Sequence, residues 1–316
     1  MLSRSYAPFK MRTHVFLQKG TWLKCALHAH TTNSDGELAP ADLVRHYEEA
    51  GFDALVITDH WIRTVEPSTE RLLVVPGTEL DALRRDGKTY AHVLALGIDS
   101  DPEPPAADFP GLEETVAWVR ANGGVPFVAH TYWSGLRTDE FEEIEGLAGI
   151  EVFNVGCELE VGRGHAGLHW DEALQSGRDL LAIATDDSHH PGKDSAHAWV
   201  WARCEEKSRE ALLAALDSGS FYSSTGPEIT GLETDGDDVV VRCSPARSIT
   251  LLTGPTKGAR VNAGEGAYIY SGEVLGTDGN GLITEASLTR PRGTPHGRLE
   301  VEDGAGRRAW TNPLWP

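Results

Sequence analysis

The sequence predicts an α/β fold, a closed or nearly closed barrel of parallel strands that is followed by a small all-β domain. Three observations predict it. Short aliphatic runs bounded by turn residues recur between residues 23 and 202, which is typical of strands buried on both faces. Helical patterns separate many of these runs, and a parallel crossover needs about a dozen residues or more. After Gly226 the helical patterns stop, and short strand patterns joined by Gly, Pro, Asp and Asn turns follow.

Eight strands and five helices are predicted in the barrel region. The strands are Leu23–His28, Ala54–Thr58, Leu72–Pro76, His92–Gly97, Val125–Ala129, Ile150–Phe153, Leu180–Ala184 and Ala198–Ala202. The helices are Ala39–Ala50, Leu112–Ala121, Thr138–Leu147, Leu168–Gln175 and Ser208–Leu216. Pro40 near the start of the first helix and Gly51 just after its end follow the usual placement of these residues. Seven or eight strands separated in this way predict an α/β barrel, whose carboxyl strand ends form the active-site face.

The remaining sequence predicts a small β domain. Its predicted strands are Asp238–Cys243, Ser248–Leu252, Tyr268–Tyr270, Leu282–Leu288 and Arg298–Glu302. A hairpin is predicted around Asp303-Gly304. We therefore divide the chain into an N-terminal extension (1–22), a barrel (23–226) and a β-sandwich-like domain (227–316).

The chain is strongly acidic, because 28 Lys and Arg stand against 48 Asp and Glu, which gives a formal net charge of -20. Such a surface repels nucleic acid and anionic membranes, so we expect neither as a partner. Divalent cations bound in one cleft would invert the charge locally. We expect an anionic small molecule as the substrate, and a homo-oligomer stays open.

Four scattered cysteines without a CxxC pair argue against a disulfide scaffold and a structural zinc knuckle. The first 22 residues hold no apolar run of signal-peptide length. No window reaches the roughly 18 apolar residues of a membrane-spanning helix. We therefore expect a cytoplasmic protein.

The strongest chemical signal is the segment His28-Ala-His30-Thr-Thr-Asn-Ser-Asp35-Gly36. Two histidines at positions i and i+2 of an extended strand end point to the same side, so both imidazoles can reach one metal. Other aliphatic runs also meet His, Asp or Glu at an edge: His60, Glu79, His92, His130, Asp187 and His189. Histidine and carboxylate ligands without cysteine are typical of catalytic zinc, manganese or iron.

In their order along the chain, these motifs resemble the successive motifs of the PHP (polymerase and histidinol phosphatase) superfamily. The matching segments are His28-Ala-His30 through Asp35-Gly36, Thr58-Asp59-His60, Gly77-Thr78-Glu79, Ala129-His130 and Asp187-Ser188-His189. Further segments, among them Glu151-Val-Phe-Asn154 and Gly162-Arg-Gly164, resemble the branch that includes carbaryl hydrolases. Thr131 is a departure, since the family often has proline there, but no ligand is lost.

The resemblance implies a distorted seven-stranded (β/α) TIM-like barrel, the PHP fold, with two or three divalent metals (zinc, manganese or iron). One metal would take His28, His30, Glu79 and Asp187. A second would share Glu79 and take His92 and His130, and a third would take Asp35, His60 and His189. All ten positions are filled, with Glu79 counted twice as the bridge.

Besides the ligand Asp187, two neighbouring carboxylates are predicted to act in catalysis. Asp59 and Asp186 lie next to ligands in sequence, where they would orient an imidazole N–H or accept a proton. The alternative for both is a helix-cap or turn residue.

Four residues are predicted to bind substrate. Arg163, in a Gly-Arg-Gly loop, would clamp an anionic group. Tyr132 and Trp133 follow His130 and would stack on an aromatic leaving group, with rim packing as the alternative. His165 closely follows this loop in the sequence and is predicted to lie near the same face.

The function implied is hydrolysis, foremost of a small-molecule phosphate ester through a metal-bridging hydroxide. A carbamate, ester or amide hydrolase with the same metals is the first alternative, and the carbaryl-hydrolase resemblance favours it. A nuclease is disfavoured by the acidic charge and the lack of a basic arm. A metal-binding or carbohydrate-binding protein without enzymatic activity is the non-catalytic alternative, against which the filled ligand set argues.

Overall fold

The computed structural model describes residues 15–105, 108–294 and 296–314, so most of the predicted extension 1–22 lies outside the described residues. The chain divides into two units. The larger unit comprises Lys19–Ala173 and Leu180–Phe221. The other, called the β-rich unit here, comprises residues 15–18, Leu174–Asp179 and residues 222–314.

All eight strands predicted for the larger unit are confirmed, with shifted ends. They are β1 (Thr21–Ala26), β2 (Ala54–Ile57), β3 (Leu73–Leu83), β4 (Tyr90–Leu96), β5 (Val125–Val128), β6 (Gly149–Asn154), β7 (Leu181–Thr185) and β8 (Trp199–Cys204). Their order in the sheet is β8-β1-β2-β3-β4-β5-β6-β7. Strand β2 is buried on both faces, because Val56 packs into one hydrophobic cluster and its neighbours Leu55 and Ile57 into another.

The prediction that the strands are parallel is wrong for β4 and β8. Strand β4 pairs antiparallel with β3 and β5, and β8 pairs antiparallel with β1. The pairs β1–β2, β2–β3, β5–β6 and β6–β7 are parallel. The physical reason is the connection, since β3 and β4 form a hairpin and no helix separates β7 from β8.

The backbone joins the segments that follow β1 and β7. The N–H of Asp187 donates to the carbonyl of His28 at 3.0 Å, and the N–H of His30 donates to Ser188 at 2.9 Å. Ala29 and Ser188 form an isolated parallel bridge. The architecture is a mixed α/β fold with a large sheet, and the predicted distorted seven-stranded TIM-like barrel is not confirmed.

The described residues contain six α-helices: α1 (Pro40–Glu49), α2 (Leu112–Ala121), α3 (Thr138–Phe141), α4 (Val155–Val161), α5 (Gly167–Gln175) and α6 (Arg209–Ser218). A single 3-10 turn spans Val15–Leu17 at the start of the described chain. The helix predicted over Thr138–Leu147 ends after one turn, and α4 was not predicted. The longest helices have ten residues, about half of what a bilayer crossing needs.

The β-rich unit contains β9 (Phe221–Ser224, from Tyr222 onward), β10 (Ile229–Asp235), β11 (Asp238–Gly254), β12 (Lys257–Asn262), β13 (Gly272–Thr277), β14 (Ile283–Thr289), β15 (Arg298–Asp303) and β16 (Arg308–Thr311). The first half of β11 pairs with β10 and β14, and its second half pairs with β12 and β15.

Two predictions for this unit need correction. Asp238–Cys243 and Ser248–Leu252 belong to one long strand, whose register shifts between Arg242 and Ala246 where Pro245 interrupts the ladder. Tyr268–Tyr270 is not a strand, because only Tyr270 pairs there, in an isolated bridge with Arg260. The hairpin around Asp303-Gly304 is confirmed by the pairing of β15 with β16.

Candidate metal centre

Four ligand-type side chains converge at the carboxyl ends of β1 and β7. The Nε2 atom of His28 lies 3.1 Å from Nε2 of His30, 3.1 Å from Oε2 of Glu79 and 3.1 Å from Oδ1 of Asp187. The Nε2 atom of His30 lies 3.2 Å from the same oxygen of Glu79 and 3.3 Å from that of Asp187. All four side chains are buried.

These spacings fit a metal ion. Ligands about 2.0 Å from a tetrahedral zinc lie about 3.3 Å from one another, close to the 3.1–3.3 Å seen here. In addition, Oδ1 of Asp187 is buried without a hydrogen-bond partner. A buried carboxylate oxygen without a partner is unfavourable unless a cation completes it. The residues present therefore fit a divalent metal.

A second set surrounds the other oxygen of Glu79. Its Oε1 lies 2.8 Å from Nδ1 of His92 and 3.2 Å from Nε2 of His130. Because Oε2 faces His28 and His30, the two oxygens of Glu79 point into two different ligand sets. This is the geometry that a bridging carboxylate needs.

A third set lies toward solvent. The Oδ1 atom of Asp35 is 3.4 Å from Nε2 of His189, and its Oδ2 atom is 3.7 Å from Nε2 of His60. Together with His30, these residues place one ligand atom each within 4.8 Å of one another. The Nδ1 atom of His60 is buried without a hydrogen-bond partner. Eight of the nine residues predicted as metal ligands thus fall into sets with ligand spacing, and these sets share His30, Glu79 and His60. The ninth, His130, belongs to none of the sets and joins the cluster through its contact with Oε1 of Glu79.

Strand direction explains how His92 reaches the cluster. His92 lies near the start of β4, whereas most of the other ligands follow the ends of strands. Because β4 runs antiparallel to β3, its start lies at the same edge as their ends, and His92 pairs with Asp81 across the ladder. The ring of His92 contacts Asp81 through Nε2 at 3.2 Å.

Two ligand positions have an uncommon backbone. His130 and Asp187 have φ of 28° and 53°, in the region that non-glycine residues seldom adopt. Each lies two residues after the end of a buried strand, so the chain turns sharply and the side chain points into the cluster. Such backbone strain is concentrated at functional sites.

Glu151, for which no role was predicted from the sequence, supports the cluster from β6. Its Oε1 accepts hydrogen bonds from Nδ1 of His28 at 2.7 Å and from Thr185 at 2.6 Å. Its Oε2 accepts from the N–H of His130 at 2.7 Å and from Asn154 at 2.8 Å. With the proton of His28 on Nδ1, Nε2 carries the lone pair for a metal. The sequence held one sign of this supporting role, a carboxylate inside the otherwise mostly aliphatic run 149–153.

Asp59 does not contact an imidazole, so its predicted role as orienting or proton-accepting group is corrected. Its oxygens accept from the N–H and hydroxyl of Thr31, both at 2.7 Å, from Ser34 at 2.8 Å and from Thr64. Asp59 therefore fixes the loop that carries Asp35, which is the turn role given as the alternative.

Asp186 likewise faces away from the cluster. It accepts from the Tyr47 hydroxyl at 2.9 Å and from the backbone N–H groups of residues 196, 197 and 198. Burial raises the pKa of Asp186 to about 6, although these donors oppose the shift. The residue holds the connection between β7 and β8, so its predicted role beside an imidazole is also corrected.

A cleft of about 480 Å³ opens beside the ligands. Its lining residues are Glu79, His92, His130, Trp133, Gly156, Cys157, Leu159, Glu160, Asp187, His189, His190, Lys193 and Asp194. Of the predicted substrate residues, Trp133 lines this cleft, and its ring centroid lies 5.0 Å from that of His130. Arg163, Tyr132 and His165 are not among the lining residues. Arg163 stacks over the ring of Tyr132 at 5.4 Å, and both are exposed.

Neighbouring carboxylates keep His30 and His92 protonated in the metal-free protein. Burial alone would lower the pKa of His30, but the neighbouring carboxylates of Asp187 and Glu79 raise it to about 9. Burial would also lower the pKa of His92, but Glu79 and Asp81 raise it to about 10. Both histidines thus carry a proton at pH 7.5.

Metal binding is therefore expected to release protons, because ligand imidazoles must be neutral. Burial opposes, but Asp187 and Glu79 also raise the pKa of His28. Adding zinc to chelator-treated protein at pH 7.5 should therefore release at least about two protons per chain, and metal affinity should rise as pH rises from 6 toward 9. Zinc titration in a weakly buffered solution with a pH-indicator dye measures both. Release of fewer than about one proton would contradict this assignment of the two histidines.

Comparison with known proteins shows a fold shared with a solved structure but no matching family model. A solved two-domain protein from Bacteroides vulgatus, described as containing a predicted PHP-like metal-dependent phosphoesterase, matches with a TM-score of 0.50 and 15% identity over 99% of this chain and 100% of that one. At this identity the likeness shows the fold alone.

Three further matches are weaker or partial. A metal-dependent phosphoesterase candidate from Bifidobacterium adolescentis matches with a TM-score of 0.41 and 18% identity over 55% of this chain and 91% of that one. An amidohydrolase from Chromobacterium violaceum matches with a TM-score of 0.39 and 17% identity over 55% and 90%. A 5′–3′ exoribonuclease of Salmonella typhimurium is 33% identical over 91 residues, 26% of this chain. The match spans 30% of that relative's length.

Proposed function

We propose that this chain is a metal-dependent hydrolase and, more specifically, a phosphoesterase that acts on a small-molecule phosphate ester. One observation carries the proposal: ligand atoms of His28, His30, Glu79 and Asp187 lie at metal-ligand spacing around a buried carboxylate oxygen that has no hydrogen-bond partner. The fold shared with the two-domain Bacteroides protein supports it. The carbaryl-hydrolase branch belongs to the second candidate function, a carbamate, ester or amide hydrolase.

The residues divide the work of such a site. His28, His30, Glu79 and Asp187 would hold one ion, Glu79 with His92 and His130 a second, and Asp35, His60 and His189 a third. When bound, divalent ions acidify water and polarise the bond to be broken. Glu151 holds His28 in the tautomer that leaves Nε2 free, and the buried donors around it keep that carboxylate fixed.

The direct test combines metal analysis with a substrate panel. Protein purified without chelator should contain at least about two equivalents of zinc, manganese or iron, as the shared ligand of two sets requires. With added manganese or zinc it should hydrolyse 4-nitrophenyl phosphate faster than 1-naphthyl acetate or carbaryl. Less than one equivalent of metal would refute the cluster, and faster cleavage of the neutral esters would refute the phosphoesterase assignment.

A carbamate, ester or amide hydrolase is the second candidate, because part of the cleft is apolar. Trp133, Leu159 and Cys157 line it beside the ligand residues. These side chains would accept a neutral aromatic group as readily as the body of a phosphate ester. The same panel distinguishes the two candidates by the bond that is cleaved.

A small anionic molecule is the proposed partner. The partial match to an exoribonuclease raises nuclease activity as a further reading, which the net charge of -20 disfavours. A phosphodiester such as bis(4-nitrophenyl) phosphate belongs in the panel for this reason. Size measurement in solution would decide whether the chain forms a homo-oligomer.

A further inference from the structure

Lys193 lies on the wall of the cleft, in the loop between β7 and β8 that also carries His189. Among the described residues that line the cleft, Lys193 is the only lysine or arginine. The cleft otherwise contains four carboxylates, on Glu79, Glu160, Asp187 and Asp194. A lone cation among acidic groups is expected to form an ion pair.

No such pair forms in the part of the chain that the structure describes. Asp194, its sequence neighbour, is buried. Its Oδ1 accepts a hydrogen bond from the hydroxyl of Ser188 at 2.8 Å, and its Oδ2 accepts from the N–H groups of His189 and His190 at 2.9 and 2.7 Å. Glu160 accepts from the indole N–H of Trp133 at 2.9 Å. The ammonium group of Lys193 is thus left available to a ligand.

The loop that carries Lys193 is held in place. The N–H of Lys193 donates to the carbonyl of His190 at 2.9 Å, and His190 contacts Glu37 through Nδ1 at 2.8 Å. The N–H of Gly192 donates to Ser195 at 2.9 Å, and Ser195 contacts Nε2 of His46 at 2.7 Å. Lys193 therefore projects from a fixed backbone beside the ligand His189.

The geometry points to Lys193 as the residue that binds the anionic group of the substrate and selects phosphate esters over neutral esters. This inference rests on the proposed phosphoesterase function. An ammonium group forms charge-assisted hydrogen bonds to phosphate oxygens, whereas a neutral ester offers it no charge. Arg163, which the sequence favoured for this role, is stacked on Tyr132 outside the residues that line the cleft.

The test compares two variants that remove one positive charge each, Lys193→Gln and Arg163→Gln. Titration calorimetry of the full-length, metal-loaded protein with inorganic phosphate measures binding without catalysis. Lys193→Gln should weaken phosphate binding about tenfold, or about 1.4 kcal/mol. Arg163→Gln should change it by less than about twofold, and Lys193→Arg should restore most of the affinity. In Lys193→Gln, kcat/KM for 4-nitrophenyl phosphate should also fall about tenfold, while that for 4-nitrophenyl acetate stays unchanged.

Equal effects of the two glutamine variants on phosphate binding would overturn the inference, as would absence of phosphate binding to the wild-type protein. An equal loss on the phosphate and acetate esters would overturn the selectivity. Failure of the metal-loaded wild type to cleave any phosphate ester would refute the proposed function instead, and the phosphate titration would still decide the role of Lys193.

Discussion

Glu79→Gln is expected to lose most bound metal and nearly all activity. Its two oxygens face different ligand sets, so one substitution weakens both. Loss of a partner that only orients a ligand already lowers metal affinity about 10- to 100-fold, and loss of a bridging ligand should exceed this. Burial would raise the pKa of Glu79, but His28, His92 and His130 lower it well below its usual range, so the carboxylate is ionised.

Metal content by mass spectrometry and the rate on 4-nitrophenyl phosphate test this expectation. Glu160→Gln is the matched control for metal content, because Glu160 lines the same cleft and belongs to none of the ligand sets. Circular dichroism checks that Glu79→Gln stays folded. A folded Glu79→Gln protein that retains all of its metal would disprove the bridging role.

Glu151→Ala is expected to combine a large loss of stability with a loss of metal. The substitution leaves the donors of His28, Thr185, the His130 backbone and Asn154 buried without their acceptor. Removing one member of a buried charged network lowers the free energy of unfolding by about 3–5 kcal/mol. Metal affinity should fall about 10- to 100-fold, because His28 loses the group that fixes its tautomer.

Urea unfolding and metal titration measure the two effects. Glu145→Ala, which removes an exposed glutamate, should change neither. Glu151→Gln separates the two contributions, since an amide keeps an oxygen acceptor and the side-chain volume while losing the charge. A Glu151→Ala protein as stable as the Glu145→Ala control would show that the four hydrogen bonds do not support the site.

Local pattern was sufficient to locate the strands of the larger unit but not to orient them. Short aliphatic runs mark buried strands wherever they pair. Direction depends on which strands meet, and that is decided by residues far apart in sequence. The hairpin of β3 and β4 therefore escaped prediction, even though the sequence marked His92 at its edge as a candidate ligand. The helix predicted over Thr138–Leu147 was too long, because the helix ends at Phe141 and Gly146, within the predicted range, has a φ of 84° that a helix does not accommodate.

In the candidate site, too, local features could be predicted from the sequence and long-range contacts could not. Ligand types that border strands could be read from the sequence, because the chemistry of His, Asp and Glu is local. Hydrogen-bond partners could not, so Asp59 and Asp186 were placed beside imidazoles while Glu151 was overlooked. The choice between Arg163 and Lys193 depends on loop conformation, which no periodic pattern encodes.

The bridge between Ala29 and Ser188 has a consequence for the stability of the larger unit. His28 and His30 flank it on one side, and Asp187 and His189 flank it on the other, so an ion held there ties together segments about 160 residues apart in the chain. By mass action, each tenfold rise in free metal above the dissociation constant adds about 1.4 kcal/mol to the folded state. Metal supply would thus regulate the lifetime of the protein as well as its activity.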